Sequence, residues 1–391
     1  MRKRLDLHDR ACEYCGSAQP ERIWSLPVEL RSQRSVHAFD MHVCVCPSCG
    51  YSFNSPAPSA KDLLEYYQSV VPYNQGVTPH YAVEKRLEVI GGLCGRDAVI
   101  AEVGGNDAVE FHSRLRERHA EVLALEPNLG VASGQRAVSA LAAGAADLVC
   151  HYDVLEHVID VGAFLYACRE GLTPGGHMVV EVPDARMYPR SLTLLSPEHV
   201  NHFTPESLAR LAGVQGFELE RVSYAASSRP YSFLAVFRKG EAPAAYEPVR
   251  DLALAADARA CIEGGVARIE ALRASMAELR ERIASVREEG GQVVLWCATY
   301  ILQLFLEDFA LPNGVSVVDA DEKKGAFFEH LGIQVDTPPV RQEEIANCAL
   351  LAVFSPRSGR TILADVRTRY NAAFPEEAFV VLGTGEFGEP L

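Results

Sequence analysis

Short apolar runs bounded by turn residues punctuate the chain from residue 98 onward. "AVIAEV" (98–103), "EVLALEPN" (121–128), "ADLVC" (146–150) and "HMVVEVPD" (177–184) read as buried strands, with helix-like segments between them. That alternation predicts a mostly parallel sheet covered by helices. A second series, "QVVLWCA", "VSVVDADE", "ALLAVFSP" and "AFVVLGTGE", predicts another parallel α/β domain. Between the two series, Ile262, Val266, Ile269, Leu272, Met276, Leu279, Ile283 and Val286 recur at steps of three and four. They predict an amphipathic helix that packs between domains or forms a dimer contact, ended by Gly290–Gly291. The Pro/Ala-rich "GEAPAAYEPVR" (240–250) marks a boundary before it. Near the start, the alternation in "HVCVC" predicts a strand with Cys44 packed or spare. The expected layout is a module at 1–80, an α/β domain at 81–240, a helical linker at 241–290 and a second α/β domain at 291–391.

Composition narrows the class. The 391 residues are 48% hydrophobic and 23% charged, as in soluble globular proteins, and no apolar run approaches a bilayer span. The basic start lacks an apolar stretch after it, so no signal peptide is expected and the cytoplasm is the expected compartment. A net charge of −15 disfavours nucleic acid and anionic membranes as partners. Eleven Cys, an odd number, argue against a disulfide framework.

Four of those Cys have metal-ligand spacing. "CEYCG" (Cys12, Cys15) and "CPSCG" (Cys46, Cys49) are two CxxC pairs, each followed by Gly. Two such knuckles can close a tetrahedral four-sulfur shell around a structural zinc ion, which has no open position for chemistry. Buried thiols or a redox pair are the alternative.

The middle of the chain carries a ligand signature. After the first strand comes "GGNDAVEF", in which Gly104 and Gly105 let backbone approach a ligand and Glu102 can reach an amino group. Glu126 follows Gly105 by 21 positions, the spacing of a ribose-binding acid. His151 to His157, with Asp153, are expected to line the carboxyl end of the sheet. The stretch "SPEHVNHFT" places Glu198, His199 and His202 between a strand and a helix that starts at Thr204–Pro205. Its His residues are three apart, not four as in a zinc-protease helix, and only Asp184 offers a further ligand. General acid/base work by His199 suits it better than a metal, with Glu198 orienting it or binding a substrate hydroxyl; a polar loop without chemistry is the bland reading. His202 is expected to be structural, capping the helix that follows.

"CxxC…CxxCG", "VIAEVGGND", "LALEPN", "DVLEHV…FL…LTPGG…VVEVP" and "EHVNHFT" occur in the order found in SAM-dependent methyltransferases with an N-terminal zinc-binding domain. The chain resembles the nucleotide-deoxysugar C-methyltransferase family over nearly its whole length. The resemblance implies a zinc module, a class I Rossmann-like SAM domain and a C-terminal Rossmann-like substrate domain. It implies methylation of a carbon beside a keto group on a nucleotide-linked sugar. His199 and Glu198 match the family's active-site pair, and His157 matches a His facing the same site. Asn106 and Asp107 extend the cofactor turn, and Tyr67 and Tyr73 are expected to line the pocket.

The chain departs from that family at four places: Ala108 replaces a Gly, the Glu126–Asp147 segment is short, "WCATY" replaces a Gly-rich turn with Lys, and Ser196–Pro197 replace Tyr-His. The expected function is SAM-dependent C- or O-methylation of a sugar-like acceptor, by a monomer or homodimer. A SAM-independent isomerase or lyase, or a binding scaffold, are the alternatives. In the second α/β domain, Asp319 resembles a ribose-binding acid, and Lys323 and Lys324 are candidates to face a phosphate.

Overall fold

The computed structural model describes residues 2–31, 36–69, 80–105, 109–119, 121–125, 138, 141–241, 247–307, 309–355 and 358–382. The chain divides into two compact units, Met1–Val266 and Ala267–Leu391.

In the first unit, the α/β sheet has six strands. From one edge the order is Phe217–Ser223, Ser232–Lys239, Leu172–Pro183, Ala146–Tyr152, Val99–Val103 and Glu121–Leu125. Leu172–Pro183, Ala146–Tyr152, Val99–Val103 and Glu121–Leu125 pair in parallel, while Ser232–Lys239 runs antiparallel to both its neighbours. Val99–Val103 comes first in the chain; the next strand lies on one side of it and Ala146–Tyr152 on the other. The order therefore reverses between those two strands, and a crevice opens beyond their carboxyl ends. Ile100, Ala101, Leu148, Val149, Val179 and Val180 are all buried. Strands covered on both faces read as the near-continuous apolar runs seen in the sequence. His151, expected at the ligand edge, is instead fully buried in the Ala146–Tyr152 strand, edge-on to Phe164.

The N-terminal residues build a second sheet in the same unit. Arg2–Arg4, Val36–Val45, Ser52–Asn54 and Asn201–His202 pair in that order, and Glu21–Arg31 pairs with Val36–Val45 as a long hairpin. Val36–Val45 alternates half-buried and buried positions along most of its length, the period of a strand with one wet face. Cys44 is buried, and its thiol donates to the Ser55 carbonyl at 3.1 Å. The fourth strand comes from far along the chain: Asn201 pairs with Phe53 and His202 with Ser52. Tyr51 and Phe53 pack in one core cluster with Val103, Val149, Leu165, Val180 and Phe203.

Arg10 ties these layers together. Its guanidinium donates to the carbonyls of Ile159 (2.7 Å), Val200 (3.0 Å) and Asn54 (3.3 Å) and to Asn201 Oδ1 (2.9 Å), and it pairs with Glu13 at 3.0 Å. Glu13 in turn accepts from the Gly162 amide at 2.7 Å. Replacing Arg10 by Ala is expected to cost about 3–5 kcal/mol, because a largely buried carboxylate and several carbonyls lose their donor together. Urea unfolding of the two proteins measures it; a difference below 1 kcal/mol would contradict this role.

The second unit holds a five-stranded, all-parallel sheet in the order Val335–Asp336, Val315–Val318, Gln292–Trp296, Cys348–Val353, Phe379–Val381. The helix Leu252–Glu288 precedes it. Asp319 is buried and internally committed: it accepts from the amides of Ala298 (2.8 Å) and Asp321 (2.9 Å) and from Lys324 (3.1 Å). Neither Asp319 nor Lys324 is therefore free for a ribose or a phosphate as the sequence suggested; they brace the turn after Gln292–Trp296. No helix among the described residues is long and apolar enough to cross a membrane.

Candidate active site

The four Cys of the knuckles converge. Cys12 Sγ lies 3.5 Å from Cys49 Sγ, Cys15 Sγ lies 3.5 Å from Cys46 Sγ, and all four sulfurs fall within 4.8 Å of one another. Tetrahedral thiolates around zinc, at about 2.3 Å each, stand roughly 3.8 Å apart. The residues present thus fit a four-sulfur metal. Each knuckle closes with a glycine amide donating back to the first Cys carbonyl, Gly16 to Cys12 (2.7 Å) and Gly50 to Cys46 (2.9 Å). Both glycines have positive φ, 71° and 79°, which explains why Gly follows each pair.

At the crevice, Gly104 follows Val99–Val103 with φ 75°. A Cβ there would stand 2.5 Å from Val154 Cγ2, so only Gly fits between the strand end and the Val154 segment. Glu102 is 2% exposed and hydrogen-bonds His112 from the helix Val109–Arg118. A buried carboxylate beside a glycine turn suits a cationic ligand such as SAM, which carries an ammonium and a sulfonium. Gly105 is half-buried beside Glu102. Asn106, Asp107, Ala108, Tyr73 and Glu126 lie outside the described residues, as does most of the shortened segment after Glu126. Asp153 closes the Ala146–Tyr152 strand in the left-handed region, φ 56°, and is ion-paired with Arg229.

Beyond Asp153 the same segment turns through Leu155–His157 into an imidazole cluster. His157 Nδ1 lies 2.9 Å from the Tyr67 hydroxyl and 3.1 Å from the Glu198 carbonyl oxygen. The Tyr66 hydroxyl donates to Glu198 Oε1 at 2.7 Å. The rings of His157 and His199 stand edge-on with centroids 4.9 Å apart. Asn54, from the N-terminal sheet, donates to the His199 carbonyl at 3.0 Å. The structure therefore brings His199, Glu198, His157 and Tyr67 together. Tyr67, expected to line the pocket, engages His157. Burial holds the His199 and His157 imidazoles below their usual pKa, further so for His199 beside His157, while Glu198 opposes the shift at His157. Both rings are thus neutral at pH 7.

His202 does not cap the following helix. That cap is Thr204, in a capping box with Ser207. His202 is buried between the Tyr188 hydroxyl (2.9 Å) and Asn54 Oδ1 (3.1 Å). Burial lowers both His202 and His151 to about 3. A depressed imidazole stabilises the fold only while neutral, so its contribution is full above the unfolded value near 6.5 and drains away as the pH falls from there toward 3. Each ring should cost about 1.4 kcal/mol per pH unit in that window. Urea midpoints at pH 7 and pH 5 read this out, and His151→Leu should remove one ring's share of the slope; an unchanged slope would refute it.

Reading the sequence missed Tyr66, Arg229 and Asn54, and gave Glu156 only as part of the 151–157 span. Tyr66 and Glu156 are the immediate neighbours of residues it named, and in the 3₁₀ turn at 155–157 adjacent side chains reach the same pocket. Asn54 arrives from a distant strand and Arg229 from the turn between Phe217–Ser223 and Ser232–Lys239, and neither left a local signal.

Residues 76–222 match the family model described as a methyltransferase domain. A ubiquinone biosynthesis O-methyltransferase of Cupriavidus pinatubonensis (strain JMP 134 / LMG 1197) is 27% identical over 176 residues, 37% of this chain and 71% of that protein. A probable S-adenosylmethionine-dependent methyltransferase of Mycolicibacterium smegmatis is 31% identical over 102 residues, 26% of this chain and 40% of that protein. A ubiquinone biosynthesis O-methyltransferase of Cereibacter sphaeroides (strain KD131 / KCTC 12085) is 34% identical over 110 residues, 27% of this chain and 42% of that protein. For the last two, the chain thus spans about two-fifths of the relative's length. Among solved structures, the Burkholderia thailandensis 1,6-didemethyltoxoflavin-N1-methyltransferase with bound S-adenosylhomocysteine aligns at a TM-score of 0.37 with 16% identity, over 55% of this chain and 99% of that one, a likeness too slight to carry an argument. The chain carries a SAM-dependent methyltransferase domain and is, by that domain, a methyltransferase.

Proposed function

We propose that the protein methylates a sugar-like, nucleotide-linked small molecule at an oxygen or an acidic carbon. The carrying observation is the continuity of one short segment. Val154 packs on Gly104 at the cofactor turn, and Glu156 and His157, two and three residues on, belong to the imidazole cluster. Donor and acceptor sides thus share a wall. When bound, SAM supplies an electrophilic methyl group. Glu102 and the Gly104–Gly105 turn would hold its methionine end; Asn106, Asp107, Glu126 and Tyr73 are proposed for the remainder, and Asp153 for the crevice rim beside it. On the acceptor side, Tyr66, Tyr67 and Glu198 offer hydroxyl and carboxylate partners suited to a polyhydroxylated ligand. His199, flanked by His157 and Glu198, marks the point where the acceptor loses its proton. The enzyme's main contribution is alignment with water excluded. The relatives named as O-methyltransferases favour oxygen as the atom methylated.

Cys12, Cys15, Cys46 and Cys49 are proposed to hold structural zinc. Action in the cytoplasm, as a monomer or homodimer and without nucleic acid or membrane, completes the reading. Calorimetric titration of SAM into the zinc-loaded protein tests it. Saturable one-to-one binding is expected; no heat at millimolar SAM would end the methyl-transfer reading.

A further inference from the structure

Glu156 lies in the acceptor cluster, 2% exposed, and neither of its carboxylate oxygens has a hydrogen-bond partner among the described residues. A buried carboxylate left so is costly unless a cation or a proton compensates it. Burial, with Asp153 nearby, pushes its pKa well above the ordinary carboxylate range.

Two imidazoles face it. His157 Nε2 is 3.8 Å from Glu156 Oε1. One ligand-capable atom from each of Glu156, His157 and His199 lies within 4.8 Å of the other two. His157 Nδ1 sits between the Tyr67 hydroxyl (2.9 Å) and the Glu198 carbonyl oxygen (3.1 Å); in the tautomer that donates from Nδ1 to that carbonyl, Nε2 presents its lone pair. Orientation of one ring nitrogen by a carbonyl on the other is how proteins prepare a metal-binding His. His199 Nδ1 is buried without a hydrogen-bond partner, and its backbone is pinned by Asn54 and by its amide bond to the Ser196 carbonyl. His202 is excluded, since both its nitrogens are engaged.

We infer that Glu156, His157 and His199 form a site for one divalent transition-metal ion on the acceptor side, distinct from the four-Cys cluster. Two imidazoles and a carboxylate suit first-row ions from manganese to zinc, and three protein ligands leave positions open for acceptor oxygens. What such an ion does in the reaction rests on the proposed reading of this pocket; its binding does not. His199 then acts as a ligand. A hydroxyl of the acceptor bound to the ion would release its proton to the neighbouring Glu198 carboxylate.

Manganese(II) is the probe, because thiolates select softer ions and the four-Cys site will not compete for it. Electron paramagnetic resonance of the full chain carrying a single zinc equivalent, which the four Cys take up, should show one bound Mn²⁺. Glu156→Gln and, separately, His199→Ala should each weaken it at least about tenfold with circular dichroism unchanged. No bound Mn²⁺ at millimolar concentration in the folded wild type, or equal binding in both variants, overturns the site. SAM calorimetry on the same samples keeps the two readings apart. SAM binding without Mn²⁺ binding retains methyl transfer and rejects the metal site; Mn²⁺ binding without SAM does the reverse.

Discussion

A Cys46→Ala protein is expected to purify without stoichiometric zinc and to lose on the order of 5 kcal/mol of stability, a fraction of the 10–16 kcal/mol that structural zinc contributes elsewhere. Cys46 is fully buried, and its Sγ lies 3.5 Å from Cys15 Sγ. Three thiols would remain packed around a vacant corner, among Tyr51, Phe53 and the apolar residues beneath the α/β sheet. The damage should therefore not stay in the N-terminal sheet, and the whole first unit should melt earlier and in one transition. Elemental analysis and calorimetric melting check both halves. A zinc content and a melt both unchanged from the wild type would show that Cys46 holds no metal.

The second large effect is kinetic. His199→Ala should lower kcat by about 10²–10⁴-fold, whether His199 takes the acceptor's proton itself or holds an ion that acidifies the acceptor. SAM affinity should stay within about threefold, since Glu102 and the Gly104–Gly105 turn are untouched. That split distinguishes an acceptor-side role from collapse of the pocket. A parallel loss of SAM affinity would count against the division of the crevice into two sides, and full activity would remove His199 from the chemistry.

Much of the fold was legible because its signals are local. The strands at 99–103 and 146–152, and the 178–183 end of the strand at 172–183, are apolar runs dictated by burial on both faces, while the edge strand at 121–125 is only partly covered. The Cys knuckles announce themselves by spacing, and the glycines after them by the turn they must make. The site was only half legible. His157, Glu198 and His199 could be named from motifs, but what surrounds them could not. Tyr66 reaches Glu198 across 132 positions of chain, and Asn54 reaches His199 across 145. His151 misled for the converse reason: a polar residue at the end of an apolar run looks like a site residue, yet in a strand the next side chain points to the opposite face, here into the core.

The Asn201–His202 strand, paired to Ser52–Asn54, makes the N-terminal module non-portable. A fragment starting near residue 80 would keep the whole α/β sheet and its glycine turn. It would also keep a two-residue strand whose pairing edge is gone, two positions from His199. Such a fragment has an exposed apolar face where Tyr51 and Phe53 had been, and a proton-handling loop with nothing to hold its course. Trimming this enzyme to a minimal catalytic core should therefore yield an aggregating protein that retains the donor turn and lacks an organised acceptor pocket. Shuffling of the module between relatives would have to exchange the 196–204 loop along with it.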